Sequence, residues 1–324
     1  MNLRIKQIPV FLLVITAALL ALSGCSAPAP AAAGADGENR LQVLATTTII
    51  ADVVQNIAGD RAVVTALIPP GVDEHGYEPA PRDLAMAGEA DLIFTNGAGL
   101  EPFLERLVAN TGDSSRIIPV SDGIDLLNGM DAGDHPDDEG EANEDQHSHE
   151  GDPHVWMDPN NVMVWVDNIQ QALSQADPAG APYYEENASR YRQELADLDQ
   201  WIQEQVSQIP PEKRNLVTDH LIFTYFADRY GFNQVGAIVP GYSTAASPSA
   251  KELAQLEDAI RELGVPVVFV GNTVNPDFAE RVSQDTGTKL VPILTGSLTG
   301  EDGHGPTYIA YIRYNVEQIV NALK

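Results

Sequence analysis

The chain has 324 residues, enough for two ordinary domains, and 44% of them are hydrophobic, enough to furnish real cores. Its 47 acidic residues against 18 basic ones leave a net charge of −29, which excludes nucleic acid as a partner because that surface demands basic patches. So acidic a chain suits a protein that meets cations, although most such charges simply keep a surface solvated.

The first 25 residues read as a targeting segment. Arg4 and Lys6 form a positive start, Ile8 to Leu22 an apolar run of signal-peptide length, and Leu22-Ser23-Gly24-Cys25 a lipoprotein-type box. Cleavage before Cys25 and lipidation on it are expected. Cys25 is the sole cysteine, so neither internal disulfides nor a thiolate metal cluster can form. Residues 26–39, rich in Ala and Pro, are a low-complexity tether, so the folded part begins near Arg40, outside the cytoplasmic membrane.

From there strands alternate with helices. Strands are expected at 41–47, 61–68, 91–95 and 116–120, with helices at 49–58, 81–89 and 101–109. The second strand stops at Pro69-Pro70-Gly71, and the loop after it carries His75. This rhythm implies parallel β-α-β units. Residues 131–152 break it: ten acids stand with His135, His147 and His149, without Lys or Arg, a composition too polar to fold alone and expected to be disordered. Either a plain solvated loop or a weak metal-collecting segment fits that composition.

Residues 151–159 put His154 in a rigid setting. Pro153 makes the entry extended, Asp158 can cap a helix, and Pro159 suits its first position, so a short strand pinned between prolines is expected before a helix running to about 176. The longest helix follows, about 181–209, with an apolar stripe from Tyr184 to Ile209 and a stop at Pro210-Pro211. At about 28 residues it spans roughly 42 Å, long enough to brace two lobes. Beyond it the alternation resumes, with strands at 215–218, 234–239, 265–270 and 289–294, and helices ending near Tyr230 and at 249–263, 276–285 and 306–323. The fold class is therefore α/β, two Rossmann-like lobes with parallel sheets joined by one long bracing helix and a ligand site in the cleft between them. The boundaries are 40–178 for the first lobe, 179–210 for the linking helix and 211–324 for the second lobe.

Three histidines share one context. His75 follows a strand, His154 lies in the pinned segment, and His220 follows the strand 215–218. Three neutral imidazoles converging from such positions suit a borderline divalent cation, zinc above all. A hydrolytic three-His zinc centre is the competing use, but the chain has no His-Glu-x-x-His and no evident general base, so it is read as a binding protein and not an enzyme.

Four segments carry a resemblance: Gly71 through Asp83, Asn96-Gly-Ala-Gly-Leu-Glu101, Asp152-Pro-His-Val-Trp-Met-Asp-Pro159, and His220 through Tyr225 before Tyr230-Gly231. Through them nearly the whole mature chain resembles the bacterial zinc and manganese solute-binding lipoproteins of ABC importers (ZnuA-like, TroA-like). The resemblance implies His75, His154 and His220 as metal ligands, Zn2+ or alternatively Mn2+ as cargo, and an ABC permease with its ATPase subunit as partners. It further implies a monomer anchored by lipid to the outer face of the cytoplasmic membrane. The family usually supplies a fourth ligand, an Asp, from a C-terminal loop, and that position here is Gly296. The candidates for the fourth place are Glu74, Glu301, Asp302, His304 or a water. An imidazole-rich site and the acidic His-rich loop both lean to zinc.

Overall fold

A computed structural model describes residues 40–127 and 151–324. The signal segment, Cys25, the tether 26–39 and the histidines His135, His147 and His149 lie outside the described residues. Two sheets of four parallel strands result, wound alike. The first contains β1 (Leu41–Ala45), β2 (Ala62–Ala66), β3 (Leu92–Thr95) and β4 (Ile117–Pro119) in the order β2-β1-β3-β4. The second contains β5 (Asn215–Thr218), β6 (Asn233–Ala237), β7 (Val267–Val270) and β8 (Lys289–Pro292) in the order β6-β5-β7-β8. In each, the order reverses beside the first strand, the switch point at which open α/β sheets leave a crevice.

The inner strands read as near-continuous apolar runs, as sheets covered on both faces require; Leu92-Ile93-Phe94-Thr95 is buried throughout. Between strands run α1 (Thr48–Ala58), α2 (Pro81–Glu89), α3 (Leu104–Thr111), α4 (Pro159–Ala176), α5 (Ala181–Val206), α6 (Thr224–Tyr230), α7 (Ala250–Leu263), α8 (Asp277–Thr286) and α9 (Tyr308–Leu323). Local chemistry sets their ends. Thr47 accepts from the Ile50 N–H at 3.2 Å at the start of α1, and Ser249 and Glu252 close a capping box on α7. Gly231, Gly264 and Gly287 end α6, α7 and α8 in the left-handed conformation.

The bracing helix is α5. Its buried stripe includes Tyr184, Ala188, Tyr191, Leu195, Leu198, Ile202 and Val206, and at 26 residues it is about 39 Å long. It ends three residues before the sequence stripe does, because Ser207 turns its hydroxyl back onto the Glu204 carbonyl and Ile209 closes a turn on Val206. One apolar core runs without a break from β1 and β3 across α1, α4, α5 and α9 to Phe269 and Ile293 beside the second sheet. Smaller cores lie outside each sheet, under α2 and α3 on one side and α7 and α8 on the other.

Two local expectations are corrected. The pinned segment before α4 is not a strand: Val155–Met157 form a single 3-10 turn, closed by Met157 N–H on the His154 carbonyl, and side chains take backbone groups a ladder would need, Asp152 Oδ1 the His154 N–H and Asn161 Nδ2 the Val155 carbonyl. Asp158 and Pro159 do cap and open α4 as the sequence implies. Asp152, counted with the acidic run, is fully buried and structured.

Candidate metal centre

The centre lies at the carboxyl ends of the strands. His75 sits in the loop after β2, His154 enters the 3-10 turn before α4, and His220 follows β5 by two residues. The structure brings all three together: one ring nitrogen from each lies within 4.8 Å of the others. Ring centroids are 5.1 Å apart for His75 and His154, 5.6 Å for His75 and His220, and 5.1 Å for His154 and His220. The Nε2 atoms of His75 and His154 are 3.1 Å apart.

Two of the rings are aimed by carboxylates. Asp152 Oδ1 accepts from the His154 backbone N–H at 2.9 Å and lies 2.7 Å from its Nδ1. Asp219 Oδ1 does the same for His220, at 2.7 Å to both atoms, while Asp219 Oδ2 accepts from the Gly271 N–H. A carboxylate accepting at Nδ1 fixes a proton there, so the Nε2 of each ring is the atom left to face the site. Sequence reasoning missed both aspartates as orienting groups, although an acid one or two residues before a histidine is a legible signal.

A deeper layer sets the His154 segment. Glu101, buried, accepts from the Thr46 hydroxyl at 2.7 Å and from the Asn96 and Gly97 N–H groups at 2.6 and 3.1 Å. Asn96 Nδ2 then donates to the Pro153 carbonyl at 3.0 Å. The Asn96–Glu101 motif therefore joins the ends of β1 and β3 to the residue before His154.

The electrostatics are unusual for a buried place. Burial holds His75 well below the ordinary imidazole range, with His154 and His220 adding repulsion. Burial also lowers His154, against the pull of Asp152. For His220 burial is outweighed by Asp219, Glu74 and Asp73, and the ring is raised. Glu74 is buried and both of its carboxylate oxygens lack a partner, as does His220 Nε2. Burial pushes the Glu74 carboxyl up to about 7. Orphaned polar atoms this deep require an explanation, and a bound cation beside three imidazoles is one.

Glu74 Oε1 lies 3.9 Å from His75 Nε2. Gly296, the place from which the resemblance implies a carboxylate, faces it: a Cβ there would lie 1.7 Å from Glu74 Oε2 and 1.9 Å from Oε1. Glu74 and any side chain at 296 thus compete for one volume. The other candidates are not gathered here. Glu301, Asp302 and His304 are exposed on the turn before α9, and the His304 ring stacks on Tyr314 at 4.9 Å. Loops of the two halves also touch beside the site: Gly71 N–H donates to Ser297 Oγ at 2.8 Å, Leu298 N–H to Thr48 Oγ1 at 2.9 Å, and the Thr244 hydroxyl to Asp73.

Against known proteins, the sequence model of the family described as zinc-uptake complex component A, periplasmic (ZnuA), matches residues 43–322. The manganese-binding lipoprotein MntA of Halalkalibacterium halodurans is 36% identical over 314 residues, covering 97% of this chain and 98% of its own. The iron-binding protein YfeA of Yersinia pestis is 37% identical over 285 residues, 88% of this chain and 86% of its own. Among solved structures, the periplasmic zinc binding protein TroA of Treponema pallidum superposes with a TM-score of 0.77 at 26% identity, covering 88% of this chain and 99% of that one.

Proposed function

The chain belongs to the periplasmic zinc-uptake component A family, and from that premise we propose that it captures zinc outside the cytoplasmic membrane and hands it to a membrane permease. It is the metal-binding, solute-binding component of an ABC importer and not an enzyme, as the naming of its relatives supports. The observation that carries the choice of zinc is the convergence of three imidazole nitrogens within 4.8 Å, two of them aimed by carboxylates. In this reading His75, His154 and His220 are ligands and Glu74 is the fourth. Its two orphaned oxygens, and its occupation of the volume in front of Gly296, support that choice over a water, Glu301, Asp302 or His304.

Capture needs little preparation. Burial favours the neutral form of His75 and His154, so their lone pairs are ready, while at His220 the ion competes with a proton that Asp219, Glu74 and Asp73 favour. The ion in turn favours the ionised form of Glu74, whose carboxyl burial pushes up to about 7. Residues 1–25 direct export, Cys25 takes the lipid, and 26–39 tether the lobes 40–178 and 211–324, joined through 179–210, to the outer face of the cytoplasmic membrane. The protein acts as a monomer beside its permease and ATPase subunit. Any contribution from the acidic run 131–150 would add weak sites only.

A second reading keeps the same ligands and exchanges the cargo for manganese, favoured by the name of MntA and by the oxygen donor that Glu74 brings. Because almost any nitrogen and oxygen site binds Zn2+ more tightly than Mn2+, uptake of radiolabelled Zn2+ and of Mn2+ by cells with and without this chain decides between them. Loss of zinc uptake without the chain is expected; loss of manganese uptake alone would overturn the assignment.

A further inference from the structure

The helix after His220 is fastened to the segment that bears His154 at both of its ends. At the start of α6, the Tyr225 hydroxyl donates to the Asp152 carbonyl at 2.7 Å. At its end, Arg229 and Tyr230 reach the carboxylate of Asp199, which projects from the bracing helix α5. Arg229 Nη2 lies 2.9 Å from Asp199 Oδ2, Arg229 Nε 3.3 Å from Oδ1, and the Tyr230 hydroxyl 2.8 Å from Oδ1. The same Oδ1 accepts from Asn160 Nδ2 at 3.2 Å, and Asn160 is fixed by its backbone N–H and side chain on Asp158, the cap of α4. Gln203 Nε2, one turn along α5, fills Oδ2 at 2.8 Å.

We propose that Asp199 is a positioning residue of the metal site, acting from the bracing helix to lock α6, and with it His220, onto the segment that carries His154. The proposal rests on the reading of those histidines as ligands. A lone ion pair as exposed as Arg229 contributes little. Five donors from three elements on one carboxylate form a network, and networks fix geometry better than pairs do. Burial pushes the Asp199 carboxyl up, but the bonds from Arg229, Tyr230 and Asn160 outweigh it and hold it below the usual range. Asp177, at the other end of the brace, is a matched control. It takes Arg61 and Tyr184 at 2.8 Å each but touches no histidine-bearing segment.

The test is zinc affinity and dissociation rate of the full chain, measured with a chromophoric chelator, for Asp199→Asn and Asp177→Asn, beside their unfolding temperatures without metal. Asp199→Asn is expected to raise Kd about tenfold or more, chiefly through faster dissociation, and to alter the visible band of the Co2+-loaded protein. Asp177→Asn should lower the unfolding temperature with Kd unchanged. Arg229→Gln and Tyr230→Phe read the same quantity from α6 should Asp199→Asn fail to fold. An unchanged Kd and Co2+ spectrum in the folded variants would overturn the proposal. His154→Ala separates the failures: if it abolishes binding while Asp199→Asn does nothing, only the positioning role falls. If His154→Ala also binds normally, the site itself has been misassigned and the proposal falls with it.

Discussion

Replacing Gly296 with alanine sets a methyl group where the Glu74 carboxylate now lies. The backbone accepts the change, since Gly296 is not among the glycines with positive φ. The added carbon would sit 1.7 Å from Oε2, whereas carbon and oxygen rest at about 3.5 Å, so one partner must retreat by about the same distance again. The loop cannot give easily. Thr295 N–H is held by Asn272 at 2.9 Å, the Thr295 carbonyl by the Tyr311 hydroxyl, and Ser297 and Leu298 by their bonds to Gly71 and Thr48. Glu74 is therefore the group that moves, at a cost of about 1–3 kcal/mol in the metal-free protein. Zinc affinity should fall about 10- to 100-fold as the carboxylate leaves. The assay is a double-mutant cycle in which Glu74→Ala, Gly296→Ala and the pair are each measured by thermal unfolding and zinc competition. Once Glu74 is alanine the three atoms nearest the added methyl are gone, so both effects of Gly296→Ala should shrink sharply in that background. If Gly296→Ala costs as much affinity with Glu74 absent as with it present, the competition for one volume is refuted.

Three other outcomes are expected. His154→Ala should abolish tight zinc binding while His304→Ala leaves it unchanged in calorimetry, because His304 stacks on Tyr314 away from the three rings; equal losses would contradict the site. Asp52, chiefly through burial, has its carboxyl raised to about 6 while accepting from the Tyr308 N–H and lying near Tyr191. A raised acid binds its proton more tightly in the folded state, so the metal-free protein should gain stability from this group as pH falls through 6 toward 4. Asp52→Asn should flatten that slope and add about 1–2 kcal/mol at pH 7, an allowance made for its half-burial; an unaltered slope would deny it. Tyr308→Phe strips the hydroxyl from the buried Trp156 carbonyl, 2.8 Å away, and should cost about 1–3 kcal/mol in denaturant titrations.

The periodicity that the sequence displays belongs to single elements, and there it was informative. The apolar runs 92–95 and 267–270, the Pro159 start and the Gly231 stop all express local backbone preferences that tertiary packing left intact. The three histidines were singled out because each stands just past a regular element or a proline. What composition hid was Asp152: a window of charged residues averages away the one acid that turns inward. The 3-10 turn at Val155–Met157 was hidden too, since it depends on side chains of Asp152 and Asn161 taking the backbone groups a strand would pair. Glu74 was only one candidate among several, because its claim rests on a glycine 222 positions later that yields it the space. Nothing in local sequence couples Asp199 to Asn160 and Arg229, which meet only once three helices pack.

The apolar seam that continues from one sheet through α1, α4, α5 and α9 to the other bears on how cargo is surrendered. Swinging the halves apart would wet a surface of the kind that holds a single domain together, which is costly. Under the proposed function, unloading then falls to the rim: the hydroxyl contacts of Thr48, Ser297 and Thr244 are cheap to break one at a time. Solution scattering profiles of the empty and filled protein should overlay, while amide exchange in those rim loops should differ.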